Sequence, residues 1–244
     1  MDYTPHIRLI GEQNQKRLTK ARVLVVGAGG IGCATLMSLA LTGVGTIGVA
    51  DGDRVELANL YRQFLYRRDD IGKQKATVAA ERLQELNDDC VLEPRSVMLD
   101  EQNAKAIIAP YDMVIDATDN YHARYAVNHV CRALNKPLIY GSAQQWSGRV
   151  ALFDCDVCYA CLFPHDTPQT SCSTVGVLNS LTMLVGSMQA TEAIKYLIGE
   201  PTLLNKLLVI NAQREVYHTY TVQKNPAEGK TEIDINDNKG LRPL

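Results

Sequence analysis

The glycines of Gly27-Ala-Gly29-Gly-Ile-Gly32 follow an apolar run, Val23–Val26, and a second apolar run closes in Asp51. A Gly-x-Gly-x-x-Gly turn lets the backbone come close to a phosphate at a helix N-terminus, and an acidic residue about 20 positions further on suits a ribose hydroxyl. Taken alone, this pattern describes the nucleotide site of a nicotinamide-dependent oxidoreductase. The residues that follow describe another chemistry. Asp53, Asn59, Arg62 and Gln63 set a cation and two amides just beyond the ribose carboxylate, where a triphosphate would extend. Lys75 adds a second cation, and Asp119 a carboxylate of the kind that holds magnesium. Nicotinamide ring chemistry needs none of these groups. A phosphate cradle, a ribose acceptor, two cations and a metal carboxylate together suit phosphoryl or adenylyl transfer, where positioning and charge neutralisation supply most of the catalysis.

Two of these residues have plainer readings. Asp116-Ala-Thr-Asp119-Asn120 follows an apolar strand and so stands at a strand's C-terminal end, where open α/β sheets bind ligands. Either Asp119 or Asn120 would equally cap the helix that starts near Tyr121. Lys75 lies in the first turn of a helix, where a lysine is ordinarily just solvated.

The elements that must position these groups follow from the apolar periodicity. Arg22–Val26 reads as a buried strand, Ile31–Leu41 as a helix rich in small residues, and Thr46–Asp51 as a second strand. Lys73–Asn87 carries apolar residues at helical spacing, Met113–Asp116 is a short apolar strand, and Arg124–Leu134 a helix leading to the strand Pro137–Tyr140. Strand and helix alternate, which predicts an α/β fold: a Rossmann-like, doubly wound, mainly parallel sheet. Beyond Gly148 the pattern changes to short strands, a cysteine-containing loop, a long helix around Met183–Ile198, and strands near Leu207–Ile210 and Val216–Val222. This half is expected to extend the same sheet with antiparallel strands. The reading is one domain over residues 1–222, with a nucleotide half at about 20–140 and a partner-binding, cysteine-loop half at about 141–222. Residues 223–244 are polar and read as a mobile tail.

With 244 residues, 46% hydrophobic content and a formal net charge of −2, the chain is long enough to bury a full core, and it lacks the basic excess that nucleic-acid binding requires. No apolar run reaches the roughly 20 residues of a membrane helix, and no signal segment opens the sequence, so a cytoplasmic protein is expected. Seven cysteines in such a chain point to metal or catalytic use rather than to a disulfide framework.

The order and spacing of these motifs make the stretch from Val23 to about Gly199 resemble the ThiF/MoeB/HesA family, the bacterial relatives of ubiquitin-activating enzymes. The strings that carry the resemblance are Gly27-x-Gly29-x-x-Gly32, Asp51-x-Asp53, Asn59-Leu-x-Arg62-Gln63, Gly72-x-x-Lys75, Thr118-Asp119-Asn120, Arg124, Cys158-Tyr-Ala-Cys161-Leu-Phe-Pro164 and Gln189-Ala-Thr-Glu-Ala-Ile-Lys195. The resemblance implies that ATP and Mg2+ convert the C-terminal glycine carboxylate of a ubiquitin-like sulfur-carrier protein, of the ThiS or MoaD type, into an acyl-adenylate. The pathway would be thiamine or molybdopterin biosynthesis. It further implies a homodimer and a separate sulfur donor such as a cysteine desulfurase. In these terms Gly27, Gly29, Gly32, Asp51, Asp53, Asn59, Gln63 and Asn120 would bind the nucleotide. Arg62 and Lys75 would neutralise its phosphates and Asp119 would hold magnesium. Rival readings keep the adenylation and change the acceptor to a peptide or small-molecule carboxylate, replace it with a nicotinamide-dependent oxidoreductase, or make the chain a silent scaffold.

The sequence departs from the family pattern twice. The family's opening Arg-Tyr-x-Arg-Gln, whose second arginine enters the partner's ATP site, is not matched by Tyr3-Thr-Pro-His-Ile-Arg8, so Arg8 is either a displaced counterpart or a surface residue. The family's zinc site uses two Cys-x-x-Cys pairs. Cys158 and Cys161 match the first, and no cysteine follows Cys172 to supply the second. Cys155 and His165 are near enough to replace two ligands, since zinc accepts mixed sulfur and nitrogen sets, and the alternative is free thiols packed as small hydrophobes. Cys172 aligns with the cysteine that, in the ThiF branch, bonds to the carrier during sulfur transfer. As a lone thiol it would equally be inert.

Overall fold

Strand β1 (Arg22–Val26) shows why both faces of the sheet are covered. Val23 and Val25 enter one apolar core and Leu24 and Val26 another, and all four are buried. A strand with two buried faces needs a continuous apolar run and helices on each side. The computed structural model describes residues 1–154, 157–163, 176–224 and 231–234. Two short helices, α1 (Thr4–Ile10) and α2 (Glu12–Lys20), precede β1. Then come α3 (Gly30–Leu41), β2 (Thr46–Ala50), α4 (Lys75–Leu86), β3 (Val91–Arg95), α5 (Ala104–Ile108), β4 (Met113–Asp116), α6 (Tyr121–Ala133) and β5 (Leu138–Gln144). The second half carries β6 (Ser147–Phe153), α7 (Tyr159–Leu162), α8 (Asn179–Ile198), β7 (Lys206–Asn211), β8 (Val216–Lys224) and β9 (Thr231–Asp234).

Among the described residues the nine strands form one sheet in the order β3-β2-β1-β4-β5-β6-β7-β8-β9. Pairing is parallel from β3 to β5 and antiparallel from β5 to β9. This is the doubly wound, mainly parallel sheet with an antiparallel extension that the sequence pattern predicts. The chain winds outward in one direction through β2 and β3 and in the other through β4 and β5. The strand ends between β1 and β4 therefore form the switch point where such sheets open a crevice. Helices α3, α4 and α8 cover one face, and α5, α6 and α7 the other.

Several elements were not apparent from periodicity. Strand β3 is half exposed and contains Pro94, which has no backbone N–H, a combination tolerated at a sheet edge. The short helices α1 and α2 precede the first apolar run; α1 buries no residue. The polar stretch after residue 222 also departs from a simple tail: β8 continues to Lys224, and β9 pairs with it from Thr221↔Asp234 to Lys224↔Thr231. Edge pairing is made by the backbone and so does not require apolar composition.

Helices α3 and α8 approach very closely. A Cβ on Gly186 would lie 2.3 Å from the Ile31 carbonyl oxygen, which is why the contact needs glycine. The small residues of α3 thus bring α8 against the back of the strand ends.

Candidate active site

A cleft of about 340 Å3 opens at the switch point. It is lined by Gly27, Gly29, Asp51, Asp53, Asn59, Arg62, Gln63, Lys75, Asp119 and Asn120, with Gly30, Arg54, Met98, Thr118, Arg124 and Thr182 among its other walls. Residues as far apart in the sequence as Val26 and Thr182 are gathered here. Of the nucleotide-site residues expected from the sequence, Gly32 alone is not on the wall, and its place in the turn explains why.

The three glycines of the motif do different work. Gly27 has φ +94°, and a Cβ there would sit 2.9 Å from the Ala117 carbonyl. A Cβ on Gly32 would sit 2.0 Å from the Gly27 carbonyl oxygen. Both are required by the chain itself. Gly29 has an ordinary extended backbone, and a Cβ there would meet nothing nearer than Gln63 Nε2 at 3.7 Å. Glycine at position 29 is thus not demanded by the chain, and it keeps the backbone at the cleft bare, as a phosphate brought close to backbone would need.

Asp51, one residue past β2, is buried and accepts hydrogen bonds from the Ala28 N–H at 2.7 Å and the Asp53 N–H at 2.8 Å. Burial pushes its carboxyl above its ordinary value, and the Lys75 charge opposes that rise. It therefore ties the glycine turn to the loop after β2, and a carboxylate has further acceptor positions for hydroxyls. Lys75, the first residue of α4, is nearly buried, and its Nζ lies 2.9 Å from the exposed carboxylate of Asp53. The Asp53 carbonyl also accepts the Lys75 N–H at 3.0 Å.

Asn59 ends a single 3-10 turn, Leu57–Asn59, and its carbonyl accepts the N–H groups of Arg62 and Gln63, each at 3.1 Å. This turn delivers Arg62 and Gln63 to the cleft. The Arg62 guanidinium lies over the Tyr61 ring, 5.0 Å from its centroid, and has no carboxylate partner among the described residues. Gln63 is 3% exposed, and its Oε1 has no hydrogen-bond partner among them. A buried acceptor without a donor is costly, so this atom stands out on the wall of the cleft.

At the end of β4 the structure shows which of the two residues caps the helix. Asn120 caps α6, its Oδ1 accepting the Ala123 N–H at 3.3 Å. Asp119 is exposed at the cleft. The turn between them and β4 is held by Asp116, which the sequence reading left without a role. Asp116 accepts from the Thr118 N–H at 2.9 Å and the Thr118 hydroxyl at 2.7 Å, and its other oxygen lies 3.5 Å from Arg124 Nε. Burial raises the Asp116 carboxyl while Arg124 opposes. Arg124 donates to the Thr118 carbonyl and lies between the rings of Tyr121 and Tyr140, at 5.3 and 5.2 Å.

A second set of supporting residues lies in α8. Gln189, wholly buried, donates to the Asp116 carbonyl at 2.7 Å and accepts from the Thr35 hydroxyl of α3 at 3.0 Å. It thereby joins both helices to the strand end beneath Asp119. Glu192 pairs with Lys195 and accepts the Leu203 N–H at 2.6 Å. Polar residues inside an otherwise apolar helix were the available sign of these roles.

Cys158 and Cys161 are brought together at α7. Cys158 caps that helix, its sulfur accepting the Cys161 N–H at 3.3 Å, with Arg132 Nη1 at 3.7 Å. Burial pushes the Cys158 thiol up, the Cys161 thiol pushes the same way, and the Cys161 N–H opposes. The pair would fill two positions of a tetrahedral zinc site. Among the described residues no group of three or more Cys, His, Asp or Glu side chains joins to hold a metal ion. Cys172, Cys155 and His165 lie outside the described residues. Arg8 is exposed on α1 and does not line the cleft. No helix among the described residues is long and apolar enough to cross a membrane.

The chain is 44% identical over 229 residues to a sulfur carrier protein adenylyltransferase of Thermus thermophilus, covering 89% of this chain and 84% of that protein. It is 40% identical over 231 residues to the SAMP-activating enzyme E1 of Haloferax volcanii, covering 92% and 86%. It is also 42% identical over 214 residues to the adenylyltransferase and sulfurtransferase MOCS3 of Anopheles gambiae, covering 85% of this chain and 48% of that longer protein. A crystal structure of E. coli MccB shares the fold with a TM-score of 0.82 at 22% identity, over 99% of this chain and 74% of that one. The ThiF family pattern matches residues 3–230, and with these relatives it shows that the chain belongs to the ThiF family.

Proposed function

We propose that this chain is an ATP-dependent adenylyltransferase that activates the C-terminal glycine carboxylate of a ubiquitin-like sulfur-carrier protein. The observation that carries the reading is the convergence of Gly29, Asp51, Arg62, Lys75 and Asp119 on one cleft. The names of the relatives from Thermus thermophilus and Haloferax volcanii, which this chain matches over most of their lengths, support it.

In the proposed reaction a carboxylate oxygen of the carrier attacks the α-phosphorus of ATP. A P–O bond forms there, the bond from that phosphorus to the bridging oxygen of the β-phosphate breaks, and pyrophosphate leaves. The attacking carboxylate is already ionised, so no side-chain base is required. Two anions must approach each other, and Arg62 and Lys75 offset that repulsion. Asp51 receives ribose hydroxyls, and the turn at Gly29 receives phosphate oxygens. Asn59 sets Gln63 and Arg62 in place, Asn120 fixes the helix beside the site, and Asp53 holds Lys75 until phosphate competes for it. Asp119 is the residue that would hold Mg2+. An exposed carboxylate of this kind would fit an ion that takes one or two protein ligands and fills its remaining positions with phosphate oxygens and water. The ion supplies neutralisation of charge on the departing pyrophosphate.

By the same reading the chain works as a homodimer, draws sulfur from a donor such as a cysteine desulfurase, and uses Cys172 in the transfer. Cys33, Cys90, Cys131 and Cys158 carry free thiols, which supports a reducing, cytoplasmic compartment. Zinc at Cys158 and Cys161 is part of the reading only if ligands beyond the described residues join them. The test is ATP–pyrophosphate exchange by the purified protein with candidate carriers, each with and without its terminal glycine. Exchange that requires one intact carrier is expected. Exchange with none would move the acceptor to a peptide or a small carboxylate.

A further inference from the structure

Beyond the groups that the proposed reaction uses, one buried side chain touches three parts of the cleft at once. Tyr66 is 5% exposed and lies three residues after Gln63, whose carbonyl accepts the Tyr66 N–H at 3.1 Å. Its hydroxyl donates to the Ala28 carbonyl at 2.7 Å and lies 3.4 Å from the Lys75 carbonyl. Ala28 is the middle of the glycine turn, and its N–H is the one held by Asp51. The residue is therefore fixed from both sides, by Asp51 through its N–H and by Tyr66 through its carbonyl. Apart from Tyr66, the Ala28 carbonyl has the Cys33 thiol at 3.7 Å, a weak donor. Packing alone does not call for the phenolic oxygen, since a phenylalanine ring fills the same space.

We propose that Tyr66 is a positioning residue, whose hydroxyl locks the turn Gly27–Gly30 against the segments that carry Arg62 and Lys75. Donors fixed before the ligand arrives cost no reorganisation when charge develops, and a displacement of about 0.5 Å is enough to impair a site. The inference rests on the adenylyltransferase reading, since it concerns how the turn receives the phosphates of ATP.

Tyr66→Phe removes one oxygen and keeps the ring. In ATP–pyrophosphate exchange by the full chain, its kcat/KM for ATP is expected to fall about fivefold or more, the loss of one hydrogen bond, while KM for the carrier stays within twofold. Leu152→Ala, a core change in β6 away from the cleft, serves as the match for lost stability and is expected to keep kcat/KM for ATP within twofold. The proposal is overturned if Tyr66→Phe keeps kcat/KM for ATP within twofold, raises KM for the carrier equally, or unfolds at the assay temperature, and also if Leu152→Ala reproduces the loss. Calorimetry of ATP on the unaltered protein separates the two ideas: absence of binding there overturns the adenylyltransferase reading itself, whatever the variants do.

Discussion

In the parallel half, from β1 to the start of β5, the polar groups singled out by spacing stand at strand ends and face a shared cleft. In the antiparallel half, the corresponding motif residues turn inward: Gln189 and Glu192 hold backbone groups, and Cys158 caps a four-residue helix. The first set lines one cleft, where Asp51 and Asn120 also hold backbone N–H groups, while the second set fixes the frame away from it. Sequence motifs alone do not separate these uses. What separates them is whether a polar group's partners are already supplied by the protein. Among the described residues Gln63 Oε1 lacks a hydrogen-bond partner and Arg62 a carboxylate, whereas both ends of the Gln189 amide have partners.

The contrast can be broken most directly at Asp119. Asp119→Ala is expected to lower ATP–pyrophosphate exchange about a thousandfold with no loss of thermal stability, because an exposed carboxylate supports no fold contact. Full exchange in that variant would remove the magnesium assignment. Arg62→Ala should cost about a hundredfold in exchange, again with the melting temperature preserved. A fall in stability that matched the fall in rate would move Arg62 to the structural side. The glycines sharpen the same comparison within one turn. Gly32→Ala should destabilise by about 3 kcal/mol or more in urea titration, since its Cβ would collide with the Gly27 carbonyl, while Gly29→Ala should fold normally and bind ATP poorly. Gln189→Leu, from the antiparallel half, should cost about 2 kcal/mol in urea by leaving the Asp116 carbonyl without its donor. Any loss of exchange there should recover when stability is restored elsewhere. The smallest effect is expected at Cys158→Ala, about 1 kcal/mol and less than twofold in exchange, and a larger change abolished by chelators would reveal a zinc role instead.

The parallel half was largely legible because its signals are local. A strand, a glycine turn and a helix follow one another within about 20 residues, and the same punctuation recurs before Asp51 and Asp119. The supporting residues were not, because their partners are distant: Gln189 meets Asp116 across 73 positions, and Tyr66 meets Ala28 across 38. Asp119 and Asn120 show the limit most plainly. Either could cap α6, and only the backbone geometry assigns the cap to Asn120 and leaves its neighbour at the cleft. Strand β3 was hidden for a different reason, since an exposed edge strand with a proline lacks the apolar run that betrays a central one.

Gly29 has one more consequence, for anyone wishing to alter this protein. Its backbone is extended and a Cβ there would make only ordinary contact with Gln63, so small side chains introduced there would change the shape of the cleft without rebuilding the scaffold. A library at this single codon would therefore be a practical starting point for selecting variants that accept a modified nucleotide and refuse the natural one.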